Sequence, residues 1–180
     1  AVADAEIPLR LMELQFKELK RVSGEKLLDE IDLPLTPVLA GMEMEGILLD
    51  LPFFATMEKE LSIRLAEIEK QIYESVGKPF NINSTQQLSD VLFKTIGLEP
   101  PDKGNKTASG HYSTAAGVLE FLSGKHPVVD FVLEHRELSK IKSTYVDALP
   151  PAVDANGRVH TSYSQIGAVT GRLSSNNPNL

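Results

Sequence analysis

"DLPFFATMEKELSIRLAEIEKQIYESV", from Asp50 to Val76, decides the fold class. Its apolar residues Phe53, Met57, Leu61, Leu65, Ile68 and Ile72 recur at three- and four-residue steps, which lays them along one stripe of an α-helix and leaves the other face charged. Asp50 can accept the free backbone N–H groups of the first turn, and Pro52 suits that turn because it has no N–H to leave unpaired. The spacing predicts a helix of about 25 residues, broken at Gly77 and Pro79. A stripe of that length has to be covered by other elements, so the chain is expected to be mainly helical.

The neighbouring segments agree. Toward the N-terminus, Ile7, Leu11, Leu14 and Leu19 predict an amphipathic helix over Asp4 to Val22, stopped at Gly24. A short helical turn over Glu25 to Ile31 follows, then a helix that Pro34 and Pro37 begin and Gly46 ends, then an extended piece at Ile47 to Leu49. Toward the C-terminus, Ser84 and Gln87 are spaced for a capping box, with helix to Ile96. A polar loop rich in Pro and Gly, about 18 residues long, runs from Gly97 to Thr114, longer than a compact domain needs for a connection. Ser113 is placed to cap a helix reaching Leu122, and Pro127 begins another that reaches Tyr145. Phe131, Leu138, Ile141 and Tyr145 fall on one side of it, and Arg136, Lys140 and Ser143 on another. After Pro150 the period changes to two: Val159, Thr161, Tyr163 and Gln165 alternate, and Ala155-Asn156-Gly157 is a hairpin-type turn. The expected fold class is mainly α with a small β portion. Those last strands have no evident sheet partner in the sequence, so residues after Pro150 are expected to be poorly ordered unless something covers them.

Composition narrows the function. The 180 residues are 42% apolar, sufficient for a core. No run approaches the roughly 20 apolar residues of a membrane span, and Ala1 to Glu6 has no signal-peptide profile, so a soluble, cytoplasmic protein is expected. The absence of cysteine removes disulfides and thiolate chemistry, and His111, His126, His135 and His160 show no metal-ligand spacing, so no metal site is expected in this chain. The net charge of −7 argues against a polyanion partner, but its distribution does not. Residues 1–93 carry nine bases against seventeen acids, whereas 94–180 carry nine against eight. Three stretches hold bases and no acid: Lys103 to Thr114, Leu138 to Val146, and Ala155 to Leu180. A polyanion would bind there.

Within the first of these, Lys106, Thr107, Ser109, Ser113 and Thr114 offer a cation and hydroxyls near a predicted helix start, a combination that suits a phosphate. A solvated loop with an ordinary cap accounts for the same residues. In the second, Lys140, Lys142, Ser143 and Thr144 close a helix, where cations also complement the helix dipole. In the third, Arg172 can donate to the acceptors that every base pair shows in the minor groove, while Ser174 and Asn179 supply short donors for the backbone. An exposed polar tail is the alternative. Asp4 by itself could not hold a metal, and a metal-dependent nuclease would need further carboxylates.

In order along the chain, "LPLTPVLAGMEMEGILLD" (33–50), "FNINSTQQLSDVLF" (80–93), "KTASGHYST" (106–114), "HPVVDFVLEHRELSKIKSTYVDALP" (126–150), "GRVHTSYSQ" (157–165) and "TGRLSSNNPNL" (170–180) resemble the signatures of the family A DNA polymerases. The resemblance implies the end of a 3′–5′ exonuclease-like domain at 1–32, with Asp4 matching a metal-ligand aspartate of its last motif. It implies a thumb subdomain with its base at 33–150 and the first antiparallel strands of an incomplete palm at 151–180. Lys106, Ser113, Thr114, Lys140, Lys142, Ser143 and Thr144 would grip the primer–template backbone. Arg172 would lie in the minor groove by the primer terminus and Asn179 would touch the template. The palm aspartates that hold magnesium are absent, so magnesium is expected only for the complete enzyme and this chain alone is expected not to polymerise. The expected partners are primer–template duplex DNA and the remaining palm and fingers. The rival readings are an autonomous DNA-binding module, a helical interaction module and a proofreading nuclease using Asp4. The chain departs from the family in a loop one or two residues longer, with "SGHY" (109–112) where bases are common.

Overall fold

The computed structural model describes residues 2–102, 104 and 106–180, without the side chains of Asp4 and Ala5, so the expectation placed on the Asp4 carboxylate lies outside the described residues. Two compact units are present: residues 50–151 form one, and the residues before 50 together with 152–180 form the other. Residues 33–49, which the resemblance implies belong with a thumb and its base, group here with 152–180.

The unit of residues 50–151 is helical. Helix α4 (Leu51–Val76) starts as its sequence requires: the Asp50 carboxylate accepts from the Phe53 N–H at 3.0 Å, and Gly77 closes the helix with φ +78°. Helix α5 (Thr85–Asp90) runs into a π turn at Val91–Thr95, α6 covers Ala116–Leu122, and α7 (Pro127–Ile141) runs into a second π turn at Lys142–Val146. Ile68 and Ile72 of α4 form the core with Ile82, Leu88, Leu92, Leu119, Leu122 and the valines 128, 129 and 132 of α7. Only the C-terminal half of the α4 stripe is fully buried; Phe53 at its start is 55% exposed.

On α7 the buried face differs from the expected one. Val128, Val132 and His135 turn inward with Val129, while Ile141 and Tyr145 stay partly exposed and Phe131 and Leu138 pack at the margin. The reason is polar: the His135 ring is satisfied inside, with Nε2 3.2 Å from Glu69 Oε1, so a histidine occupies a position that an apolar pattern would not assign to the core. A second link joins the same two helices, the Arg64 guanidinium donating to both Glu134 oxygens at 2.7 and 2.9 Å. The capping box at α5 is half formed. Ser84 Oγ accepts from the Gln87 N–H at 3.4 Å, but the Gln87 side chain accepts from the Asn81 N–H at 2.8 Å instead of from Ser84. Ser113 does not cap α6; the helix begins after Ala115, and Ser113 Oγ accepts from the Ala115 N–H in a turn.

In the other unit, α1 (Val2–Arg21) leads to α2 (Glu25–Leu27), a π turn (Leu28–Asp32) and α3 (Leu33–Glu45). The apolar residues Ile7, Leu11 and Leu14 of α1 are exposed. The strands after Pro150 do have partners, the cover on which their order is expected to depend. Strand β1 (Ile47–Leu48) pairs antiparallel with β2 (Arg158–Val159), Ile47 opposite Val159, and β3 (Ser162–Ser164) pairs with β4 (Ser174–Asn176), Tyr163 opposite Ser175. The polar end of the chain thus contains a short strand and is further held by Thr161 Oγ1 donating to the Pro178 carbonyl at 2.7 Å.

The last carbonyls of α3, which have no helical partner, are met by side chains from β2 and the residue that follows it. Arg158 donates to the Glu45 and Gly46 carbonyls, and His160 Nδ1 donates to the Glu43 carbonyl at 2.7 Å. Gly46 makes this approach possible. It has φ +68°, and a Cβ there would lie 2.8 Å from the His160 ring and 2.9 Å from the Val159 carbonyl.

Two outcomes follow. Ile72→Ala should cost about 2–5 kcal/mol in urea unfolding, since a fully buried branched side chain leaves a cavity. The His160 pKa is raised, first by the Glu43 carbonyl and also by Asp154, against opposition from desolvation and, less, from Arg158. Its contribution is therefore fully present below its ordinary value near 6.5 and is lost as pH rises through the higher folded value. The melting-temperature gap between the parent chain and His160→Gln should shrink from pH 5.5 to pH 8.5; a gap independent of pH would remove protonated His160 as the cap.

Candidate nucleic-acid interface

The helical unit carries seven of the candidate residues. In the loop between α5 and α6, Thr107 and His111 close a tight turn: the Thr107 N–H and Oγ1 both donate to the His111 carbonyl at 2.8 Å, and Gly110 has φ +78°. His111 Nδ1 lies 3.0 Å from Asp90, whose carboxyl is held below its usual range by Lys94 first and by His111 as well. The turn is thereby tied to the end of α5. Lys106 lies exposed with its ammonium 5.2 Å from the Tyr112 ring centre, and Tyr112 packs edge-on against Phe93.

Thr114 is buried and is gripped by Arg136 of α7, which donates to the Thr114 carbonyl and, at 3.3 Å, to its Oγ1. Arg136 forms no ion pair among the described residues, and burial lowers its pKa. It lines a cleft of about 440 Å³ together with Thr85, Thr107, Ser109, His111 and Ser113. A cation and hydroxyls converge here, but the cation is Arg136, which the sequence pattern places only on a helix face, and not Lys106. The signal for it, an arginine on a helix with no acid one turn away to pair it, was available: Val132 and Lys140 stand four residues either side.

The second cluster separates. Lys140 is exposed and makes no ion pair among the described residues, whereas Lys142 is bound to Asp147 at 2.8 Å and Glu58 at 3.2 Å. Asp147 first, and Glu58 with it, raise the Lys142 pKa. Ser143 is exposed and Thr144 half-buried. The neutralising acids were legible as residues but not as neighbours, because Glu58 stands 84 positions from Lys142 in the chain.

In the other unit, Arg172 follows Gly171 (φ +75°) in the connection between β3 and β4, exposed and without an ion pair among the described residues. Ser174 is half-buried in β4 opposite Ser164, and Asn179 is exposed beyond the strand. Among the described residues no three His, Asp or Glu side chains stand together as a metal would need, so the donor set for magnesium is not found there. Among the described residues no helix is long and apolar enough to cross a membrane.

Comparison with known proteins bears on this arrangement. A family model described as DNA polymerase family A matches residues 52–180. The chain belongs to DNA polymerase family A. The DNA polymerase I of Chloroflexus aurantiacus is 48% identical over 183 aligned positions, covering 100% of this chain and 19% of that protein. The thermostable DNA polymerase I of Thermus filiformis is 45% identical over 94% of this chain and 21% of its own length, and the DNA polymerase I of Bacillus subtilis 42% identical over 94% and 19%. The chain thus spans about a fifth of these family A relatives. The POL domain of Pol1 from M. smegmatis, solved in complex with DNA primer-template and dNTP, superposes with a TM-score of 0.81 at 37% identity, over 96% of this chain and 30% of that one.

Arg136→Ala should release the segment that carries Ser113 and Thr114. Hydrogen exchange at the Thr107, Gly110 and Ala115 amides is expected to quicken roughly tenfold or more, the worth of a hydrogen bond to a charged donor. Lys at this position should give an intermediate rate. Unchanged exchange in the alanine variant would show that Arg136 does not hold the loop.

Proposed function

We propose that this chain is the primer–template-holding part of a family A DNA-directed DNA polymerase, an enzyme that extends a primer from deoxynucleoside triphosphates. The observation that carries the reading is the likeness, across 96% of the chain, to a polymerase domain solved with primer-template DNA. In this reading residues 33–150 are the thumb and its base, 151–180 begin the palm, and 1–32 end a 3′–5′ exonuclease-like domain. Lys106, Ser113, Lys140, Ser143 and Thr144 face the sugar–phosphate backbone, Thr114, buried against Arg136, anchors the segment that carries Ser113, and Arg172, with Ser174 and Asn179 near it in sequence, serves the end where the primer terminus lies.

The physical support is local. Lys106, Lys140 and Arg172 are exposed cations with no carboxylate holding them among the described residues, and a backbone polyanion rewards such groups by releasing its counterions. Hydroxyls beside them add donors without sequence preference. Magnesium and the carboxylates that bind it belong, in this reading, to the four-fifths of the relatives that the chain does not span, and no catalytic step is assigned to its own residues. The complete enzyme works in the cytoplasm, with the remaining palm and the fingers as partners.

Fluorescence anisotropy tests the reading: a labelled primer–template hairpin and a single strand of equal length are titrated with the chain at several salt concentrations. Duplex should bind more tightly, weakly overall because the N-terminal half is acidic. Each cation that engages a phosphate should add about −0.9 to the slope of log affinity against log salt. Binding to neither DNA at the lowest salt would favour a helical interaction module; equal binding to both would favour a general nucleic-acid module.

A further inference from the structure

We infer that Lys142 is a positioning residue, an internal strut that fixes how Lys140, Ser143 and Thr144 are presented, and that it does not itself neutralise a phosphate. This rests on the DNA-holding reading above for what is presented, but the strut stands on contacts within the helical unit.

The backbone makes the strut. At Lys142 the helix passes into a π turn, with the Asp147 N–H donating to the Lys142 carbonyl at 2.8 Å, a five-residue step. In an α-helix, residues five apart point in different directions. Widening the turn brings Asp147 round beneath Lys142, and their side chains meet at 2.8 Å. The same ammonium reaches across to α4, 3.2 Å from Glu58 Oε1, and Glu58 is itself fixed by Ser62 Oγ donating at 2.8 Å. One cation therefore joins three places: the start of the π turn, its end, and the facing helix.

Its neighbours contrast with it. The Lys142 side chain is 21% exposed, while Lys140, two residues earlier, lies in solvent without an ion pair among the described residues. To meet a phosphate, Lys142 would have to leave two carboxylates, which would then stand unpaired beside the same polyanion. That exchange brings little net neutralisation. Lys140 makes no such exchange.

The test pairs DNA binding with a melt that needs no DNA. Lys140→Met should reduce the salt slope for the duplex hairpin by about 0.9 and leave the melting temperature unchanged. Lys142→Met should leave the slope unchanged, weaken binding roughly three- to tenfold through misplaced neighbours, and lower the melting temperature by about 2–4 °C. Lys142→Arg should recover both losses. Glu58→Gln should lower the melting temperature as well, and combined with Lys142→Met should lower it no further than Lys142→Met alone. A loss of about 0.9 in slope for Lys142→Met, or additive melting shifts for the pair, would overturn the strut. Failure of the parent chain to bind duplex would reject the DNA-holding reading, whereas the melting cycle would still decide for or against the strut.

Discussion

The seam between α4 and α7 is the constraint on which the helical unit depends. Ile68 and Ile72 meet the valines of α7 inside it, and the links His135 to Glu69 and Arg64 to Glu134 run along it. The apolar contacts supply the stabilisation; the polar links fix the register, because a helix slid by one turn would leave a buried imidazole without its acceptor. Everything proposed to face DNA in this unit hangs from that seam. Arg136 projects from α7 to hold Thr114 and the loop, and Lys140 and the π turn lie at the far end of the same helix.

The second unit is held differently. Its strands are two or three residues long, too short to stand by hydrogen bonding alone. They are secured by side chains that end a helix: Arg158 and His160 on the carbonyls of α3, and the Glu43 carboxylate accepting from the Tyr163 N–H at 2.6 Å. Arg172 sits in the connection of the hairpin that begins at Tyr163's strand, so its placement traces back through that carboxylate to α3.

This explains which parts were legible in the sequence. The long stripe of α4, its Asp50 cap and its Gly77 stop are local, and a local pattern with a strong period suffices to read them. The inward face of α7 was missed because His135 reads as polar until Glu69, 66 positions away, is seen to satisfy it. Partners for the late strands were missed for the same reason: β1 is two residues long and stands more than a hundred positions from β2. Among the candidate residues the types and stretches were readable, but not which cations are free. Lys140 and Lys142 look equivalent in "SKIKSTY", and only the fold, by bringing Glu58 and Asp147 to one of them, tells them apart.

Gly46 carries a further consequence for how mutational data on this chain should be interpreted. The obstruction there begins at the first side-chain atom and involves the Val159 carbonyl, which no rotamer can avoid, and the backbone angle disfavours any L-residue besides. In the complete enzyme proposed above, a survey of substitutions scored by growth or by primer extension would rank position 46 as intolerant, alongside Arg172. The two would share a phenotype and nothing else. One is intolerant because a strand and a histidine close over the space a methyl group would need, and the other because of the ligand it is proposed to meet. Only measurements that separate the amount of folded protein from its activity per molecule would distinguish them.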